Sequence, residues 1–342
     1  MMTTPARDIT MVAPADSTDI PSLTLETLAM RQTLNRRLFS LAALTIALIS
    51  ARVWSAEPIR GIGPAGDVKK VHTGLMFTEG PAADGQGNLY FSDVAGNKLY
   101  KVDSQNELSV ILDPSNNTNG LMVNAAGNIV ACEMAGRLIE VNPKTKEVKA
   151  LAEGYEGKRF NAPNDLVIDK EGGVYFTDPH FRAPMPLPQG VRAFYYRAPD
   201  GKVTRLGVVE TAPNGVILSP DEKTLYVIPS MQAEMLAYPV EGPGKLGQQR
   251  TFCTLKQAAG KTAGGGDGLT IDSKGNLYIT SALGIQVFDP AGRPLGILEF
   301  PEQPANCTFG GKDNKTLYVT ARTSLYAVPM EATGHVFPAG KR

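Results

Sequence analysis

Asn88-Leu89-Tyr90-Phe91, Asn128-Ile129-Val130-Ala131, Gly173-Val174-Tyr175-Phe176, Thr224-Leu225-Tyr226-Val227, Asn276-Leu277-Tyr278-Ile279 and Thr316-Leu317-Tyr318-Val319 are six versions of one short segment. Each follows Gly, Asn or Lys turn residues, and successive starts are 40, 45, 51, 52 and 40 residues apart. Aromatic and β-branched side chains between turn residues favour pleated strands over helices. A second β segment follows every copy: Leu99-Tyr100-Lys101-Val102, Leu138-Ile139-Glu140-Val141, Phe194-Tyr195-Tyr196, Leu236-Ala237-Tyr238, Ile285-Gln286-Val287-Phe288 and Leu325-Tyr326-Ala327-Val328. A period of 40 to 50 residues carrying several short strands is the pattern of a propeller blade. One blade cannot cover both its apolar faces, whereas blades stacked around an axis cover one another and leave no long edges. The expected fold is all-β, a six-bladed β-propeller with four-stranded blades.

A second repeat, made of polar residues, runs in register with the first. Glu79, Asn119, Asn164, Asn214, Asp267 and Asn306 precede the six segments by 9, 9, 9, 10, 9 and 10 residues. Any one Asn-Gly or Asp-Gly pair reads as a turn, because these residues tolerate left-handed backbone angles. Six in register read differently. The first strand of each blade lines the central channel, so equivalent residues at its start converge on the axis. Two carboxylates and several amides brought together there repel or waste hydrogen bonds unless a cation lies between them. An all-oxygen set suits a hard cation such as Ca²⁺, with waters completing six to eight ligands. No His or Cys joins it, which argues against a structural zinc site.

The composition is compatible with a large core and excludes one class of partner. Hydrophobic residues make up 42% of the 342, and 34 Lys+Arg balance 34 Asp+Glu. Nucleic-acid binding needs a basic surface, and this balance provides none. Cys132, Cys253 and Cys307 form no disulfide framework or CxxC motif and read as buried thiols. Phe181–Gly190 carries Pro184, Pro186 and Pro188, so it is a loop, either a lid or plain surface.

Residues 1–29 are polar and aperiodic, and Met30 stands where an export signal would begin. Basic Arg31, Arg36 and Arg37 precede an apolar run, Leu38–Ile49, which ends near small residues up to Ala56. This is a signal-peptide pattern, too short for a membrane span of about 20 residues. Asn35-Arg36-Arg37-Leu38-Phe39 resembles a twin-arginine signal. The expectation is a disordered N-terminus with signal peptide over 1–56 and one propeller domain over 57–342. The mature chain would be periplasmic or secreted and not embedded in the membrane.

On Phe77-Thr78-Glu79-Gly80-Pro81, Pro163-Asn164-Asp165, Pro213-Asn214-Gly215-Val216, Asp267-Gly268-Leu269-Thr270-Ile271-Asp272 and Asn306-Cys307-Thr308-Phe309-Gly310-Gly311, the chain resembles the gluconolactonase and regucalcin (senescence marker protein) family over roughly residues 70–330. The resemblance implies a six-bladed propeller with a divalent metal in its channel, be it calcium, zinc or magnesium. It makes Glu79, Asn214 and Asp267 metal ligands and Asn164 a fourth ligand or a substrate contact. Asn119 and Asn306 would line the substrate pocket. The implied substrate is a small lactone, a sugar lactone above all. A bound cation polarises the lactone carbonyl, and Asp267 is the candidate general base for attack by water. Direct attack by Asp267 is the alternative. Competing readings are an aryl-ester or organophosphate hydrolase at the same site, a non-catalytic binding module, and a strictosidine-synthase-like enzyme. His180, Arg322 and Glu133 are expected to be a solvated or hydrogen-bonded loop histidine, a structural pair and a solvated carboxylate. Asp93 and Asp178 read as turn residues.

Overall fold

Leu277–Ser281 has five residues and all five are buried, whereas Val148–Ala152 has none buried. The difference locates the two strands: a strand with both faces covered lies between neighbouring blades, and a half-exposed one lies at the rim. The computed structural model describes residues 58–261 and 264–337. The expected signal segment lies outside the described residues. Among the described residues there is no helix.

Six antiparallel sheets follow one another along the chain, each a meander from the channel outward. Blade one is Thr78–Ala83, Leu89–Asp93, Lys98–Val102 and Leu108–Leu112. Blade two is Thr118–Val123, Ile129–Glu133, Arg137–Val141 and Val148–Ala152. Blade three is Leu166–Ile168, Val174–Asp178, Ala193–Arg197 and Val203–Val208. Blade four is Pro213–Leu218, Thr224–Pro229, Glu234–Gly242 and Arg250–Thr254. Blade five is Leu269–Ile271, Leu277–Ser281, Gly284–Phe288 and Pro294–Leu298. Blade six takes Pro304–Gly310, Thr316–Ala321 and Ser324–Pro329 from the end of the chain.

Blade six obtains its fourth strand from the other end. Lys69–His72 pairs antiparallel with Ser324–Pro329, with Lys70 opposite Tyr326. Glu302 fastens this junction. Its carboxylate accepts bonds from Lys70 Nζ, Thr323 N, Ser324 Oγ and Tyr326 Oη at 3.2, 3.0, 2.5 and 2.8 Å.

The core lies between blades. Tyr278, Ile285 and Val287 of blade five pack with Cys307, Leu317 and Val319 of blade six in one cluster. The uneven spacing of the repeat has local causes. A hairpin, Gly154–Tyr155 with Lys158–Arg159, lengthens the second interval. A ribbon between Glu234–Gly242 and Lys245–Leu246 lengthens the fourth. Phe181–Gly190 forms no strand, as its prolines require, and Gln189 ties its end to the carbonyls of Tyr155, Lys158 and Arg159. The three cysteines are free and buried.

Candidate active site

The six register residues start the inner strands or directly precede them, all at the same end of the channel. The Asn-Gly and Asp-Gly pairs are not turns. Pairing between first and second strands shifts between Glu79 and Ala82, Thr118 and Leu121, Pro213 and Val216, and Pro304 and Asn306. Such bulges bend a strand and re-aim its side chains. The glycine that follows allows the next blade to come close. A Cβ on Gly80 would lie 1.9 Å from the Asn119 carbonyl oxygen, and one on Gly268 would lie 2.0 Å from Asn306 Cγ.

Hydrogen bonds join the blades at this level all the way round. Ser92 Oγ donates to the Asn119 carbonyl at 2.8 Å, and Gly120 N to the Asn164 carbonyl at 2.7 Å. Thr177 Oγ1 donates to the Asn214 carbonyl at 2.7 Å, and Gly215 N to the Asp267 carbonyl at 3.0 Å. Gly268 N donates to Ala305 O at 2.8 Å, and Thr78 N to Arg322 O at 2.8 Å. The main chain that carries the polar residues is therefore held rigidly, which is what a preorganised site requires.

Glu79, Asn119, Asn164, Asn214 and Asn306 are buried, each 4–5% exposed, while Asp267 keeps a partly exposed edge. Asn214 Nδ2 donates to Asp267 Oδ1 at 2.5 Å and to Ser230 Oγ at 2.9 Å. Burial holds the Glu79 carboxyl well above its ordinary pKa, and the Asp267 charge raises it further. Burial also raises Asp267, against the Asn214 bond and the Arg322 charge. Among the described residues no three His, Cys, Asp or Glu side chains form a metal-binding group. The oxygen set here is two carboxylates with amides. A buried carboxylate, a second that is partly exposed, amides beside them and a rigid frame fit a hard dication.

The register residues do not all face the same way. Asn119 Nδ2 lies 4.0 Å from Met134 Sδ, beside an apolar wall that includes Phe77, Val94, Ala162 and Phe181. Asn306 turns its amide inward. Its Oδ1 accepts from Cys307 N at 2.8 Å, and its Nδ2 donates to Asp165 Oδ2 at 3.4 Å. It also lines a cavity of about 110 Å³ that extends along the inner strands from Gly80 and Asp165 to His335, Val336 and Phe337.

Asp165 is the residue that sequence reasoning passed over. It is 7% exposed and lies among the site's charges, with its carboxyl raised to about 7 by burial. Its signal was its position. After the register residue stand Gly80, Gly120, Gly215 and Gly268 in four blades, but Asp165 in blade three and Cys307 in blade six.

Several expectations for neighbouring residues change. Glu133 is not solvated: it is 1% exposed and forked to Arg137 Nε and Nη2 at 2.7 and 2.8 Å. Asp93 and Asp178 are not simple turn residues but buried clamps on loops at the site's end of the blades. Asp93 accepts from Met76 N and Phe77 N, and Asp178 from Asn161 N and Ala162 N. His180 is half-buried on its loop; its Nδ1 has no hydrogen-bond partner, and its ring lies tilted against Phe181 with centroids 4.8 Å apart. Arg322 is paired as expected, donating to Gln303 Oε1 at 2.5 Å.

Comparisons with known proteins agree with the propeller fold. Gluconolactonase of Zymomonas mobilis is 32% identical over 294 residues, covering 78% of this chain and 82% of its own. Regucalcin of Xenopus laevis is 27% identical, covering 69% of this chain and 79% of its own. The solved gluconolactonase of Xanthomonas campestris superposes with a TM-score of 0.71 at 30% identity, over 77% of this chain and 89% of that one. The sequence pattern described as SMP-30/Gluconolactonase/LRE-like region matches residues 77–323, most of the chain, and the chain belongs to that family.

Proposed function

We propose that this protein hydrolyses a lactone of the sugar-lactone kind, at a divalent cation held by Glu79, Asn164, Asn214 and Asp267. The carrying observation is that equivalent inner-strand positions bring buried Glu79, Asn164 and Asn214 and partly exposed Asp267 to the head of one channel, with Asn214 Nδ2 bonded to Asp267 Oδ1 at 2.5 Å. Like charges gathered in one channel repel, and a dication between them turns that repulsion into attraction. Calcium suits the all-oxygen donors best, and zinc or magnesium are the alternatives. The relatives named gluconolactonase support the substrate class.

When bound, the cation supplies Lewis-acid polarisation of the lactone carbonyl and charge for the oxyanion that follows. The chain's own residues do the rest. Asp267 takes a proton from water as the water oxygen bonds to the carbonyl carbon. The ring C–O bond then breaks, and the proton passes to the departing oxygen, giving a hydroxy acid. Asn214 orients the Asp267 carboxylate through its 2.5 Å bond, and the Arg322 charge favours the ionised form. Asn119 and Asn164 offer amide hydrogens to substrate oxygens. Residues 30–56 export the chain, so the mature protein works in the periplasm or outside the cell. N-terminal sequencing of fractionated protein tests that part, with Glu57 the expected first residue.

The deciding experiment strips the purified protein of metal and assays lactones and aryl esters with Ca²⁺, Zn²⁺, Mg²⁺ or Mn²⁺ restored. Turnover of lactones restored by a cation supports the proposal. No turnover with any cation ends it.

A further inference from the structure

We propose that the lactone this protein opens carries an anionic group, a carboxylate or a phosphate, away from its reacting carbonyl, and that Arg159 and Arg182 bind that group in a cavity beside Asn119. The inference rests on the lactonase reading and narrows its substrate.

The cavity has a volume of about 470 Å³ and lies where loops of blades two and three meet. Met134 joins it to the candidate site, with Sδ 4.0 Å from Asn119 Nδ2. Met134 is buried and packs with Val94 and Ala162, and Ala183 of the proline-bearing loop packs against the same cluster. Together with Ala135 and Pro184, Met134 and Ala183 give the cavity an apolar lining. Asn117 lines it too and spends Nδ2 on Val94 O at 2.7 Å, so its Oδ1 is left to accept from a substrate hydroxyl. A substituent that extends from the channel past Asn119 enters this space.

The two remaining lining residues are both cationic. Arg159 is held in place: its Nε donates to Phe160 O at 3.0 Å and its Nη2 to Asn161 O at 3.1 Å. Its guanidinium lies against Gly136, where a Cβ would stand 2.5 Å from Nη2. A guanidinium carries five N–H donors, and these two bonds leave the others for a ligand. Arg182 is exposed and has a φ of 59°, a backbone conformation uncommon for a long side chain and kept only where the surroundings impose it.

Neither charge is balanced nearby. Among the described residues the arginines with ion-pair partners are Arg137 and Arg293. Asp178, four residues before Arg182, spends its two oxygens on Asn161 N and Ala162 N. Among the described residues no acidic side chain lines the cavity. Two arginines around one apolar cavity select an oxyanion, because the fork of guanidinium donors matches carboxylate and phosphate alike. A neutral sugar makes no use of either charge.

The test compares kcat/KM for gluconolactone, glucarolactone and phosphogluconolactone: one neutral lactone, one carboxylated and one phosphorylated. The proteins are wild type, Arg182→Gln and Arg159→Gln, each supplied with a divalent cation. A charged lactone should exceed gluconolactone by about tenfold or more, the scale of a charge-assisted contact open to solvent. Which charged lactone leads identifies the anion. In Arg182→Gln the ratio of charged to neutral lactone should fall by about tenfold. The change should lie mainly in KM, since a remote contact holds substrate and transition state alike. Salt near 1 M, where the Debye length is about 3 Å, should shrink the wild-type ratio in the same way.

Gluconolactone opened as well as both charged lactones overturns the inference and leaves the lactonase reading standing. A ratio that neither substitution changes does the same. Arg159→Gln also removes two loop bonds, and should it not fold, Arg182→Gln decides, because Arg182 is exposed. If no lactone is opened with any cation, the lactonase reading fails and this inference fails with it.

Discussion

Asn214 and Asp267, 53 residues apart and on neighbouring blades, are joined by a 2.5 Å hydrogen bond from Nδ2 to Oδ1. Asn214 is held in turn at Ser230 Oγ, 2.9 Å away, and its carbonyl receives Thr177 Oγ1. The candidate base is thus oriented by an amide that is itself anchored twice. Asp267→Asn keeps the shape and removes the base. Lactone turnover at saturating metal should fall by about 10²–10⁴-fold. Asn214→Ala should cost about 10–100-fold in cation affinity or rate. A pH-stat assay reads both, and an Asp267→Asn enzyme with near-normal turnover removes Asp267 as base.

Without metal, the same carboxylates should make stability depend on pH. Burial raises the folded-state pKa of Glu79, Asp267 and Asp165, the last to about 7. A carboxyl with a folded pKa above its unfolded one binds protons more tightly when folded, so its contribution falls as pH rises through that window. In chelator, Asp267→Asn should therefore melt above wild type at pH 7.5, and the difference should shrink by pH 5. Saturating Ca²⁺ should reverse the order, since a ligand at 100 times its Kd stabilises the native state by about 2.7 kcal/mol. Calorimetric melts at both pH values check the sign.

Gly80→Ala should be among the most damaging single-methyl changes in the chain. The new Cβ would stand 1.9 Å from the Asn119 carbonyl oxygen, which is main chain, and Gly80 has a φ of 44°. Backbone cannot rotate away as a flexible side chain can. The expected loss is at least about 3 kcal/mol, the scale of overpacking and backbone strain combined. Urea unfolding measures it, and a loss under about 1 kcal/mol would mean the seam between blades one and two yields more than its packing implies.

Glu302 gives a prediction with the opposite pH sign. Burial pulls its pKa upward, but donors from Ser324, Tyr326, Thr323 and Lys70 outweigh that and hold it down to about 2. Its side chain is 21% exposed. A depressed carboxylate adds stability above its unfolded pKa and loses it as pH falls through the folded one. Glu302→Gln should cost on the order of 2 kcal/mol at pH 7 and almost nothing at pH 2, after discounting for solvent. Equal losses at both pH values would show that only packing was disturbed.

The repeat made the six blades and their second and third strands readable, because each second strand opens with an apolar run buried on both faces. The inner-strand polar residues were readable from register alone. Lys69–His72 was not, since a rim strand with two of its four residues exposed carries no strong pattern. Asp165 was hidden by its neighbour: in Pro163-Asn164-Asp165 the amide drew the functional reading, and the break in the glycine column went unread. Asp93, Glu133 and Asp178 end the second strands of blades one, two and three, so the same columnar comparison would have marked all three as structural. Which way Asn306 faces depends on Cys307 N–H and Asp165, 141 residues distant, and no local pattern carries that.

The borrowed strand in blade six has a consequence for how the molecule is made. During synthesis Lys69–His72 emerges early and must wait, unpaired, for Ser324–Pro329 to leave the ribosome. Five blades can form as the polypeptide lengthens, but circular closure is a post-translational event. A trimmed version beginning after His72 would carry all six register residues and still present Ser324–Pro329 as a raw edge, open to pairing between molecules. The amino-terminal clasp therefore belongs in any attempt to produce this protein in isolation.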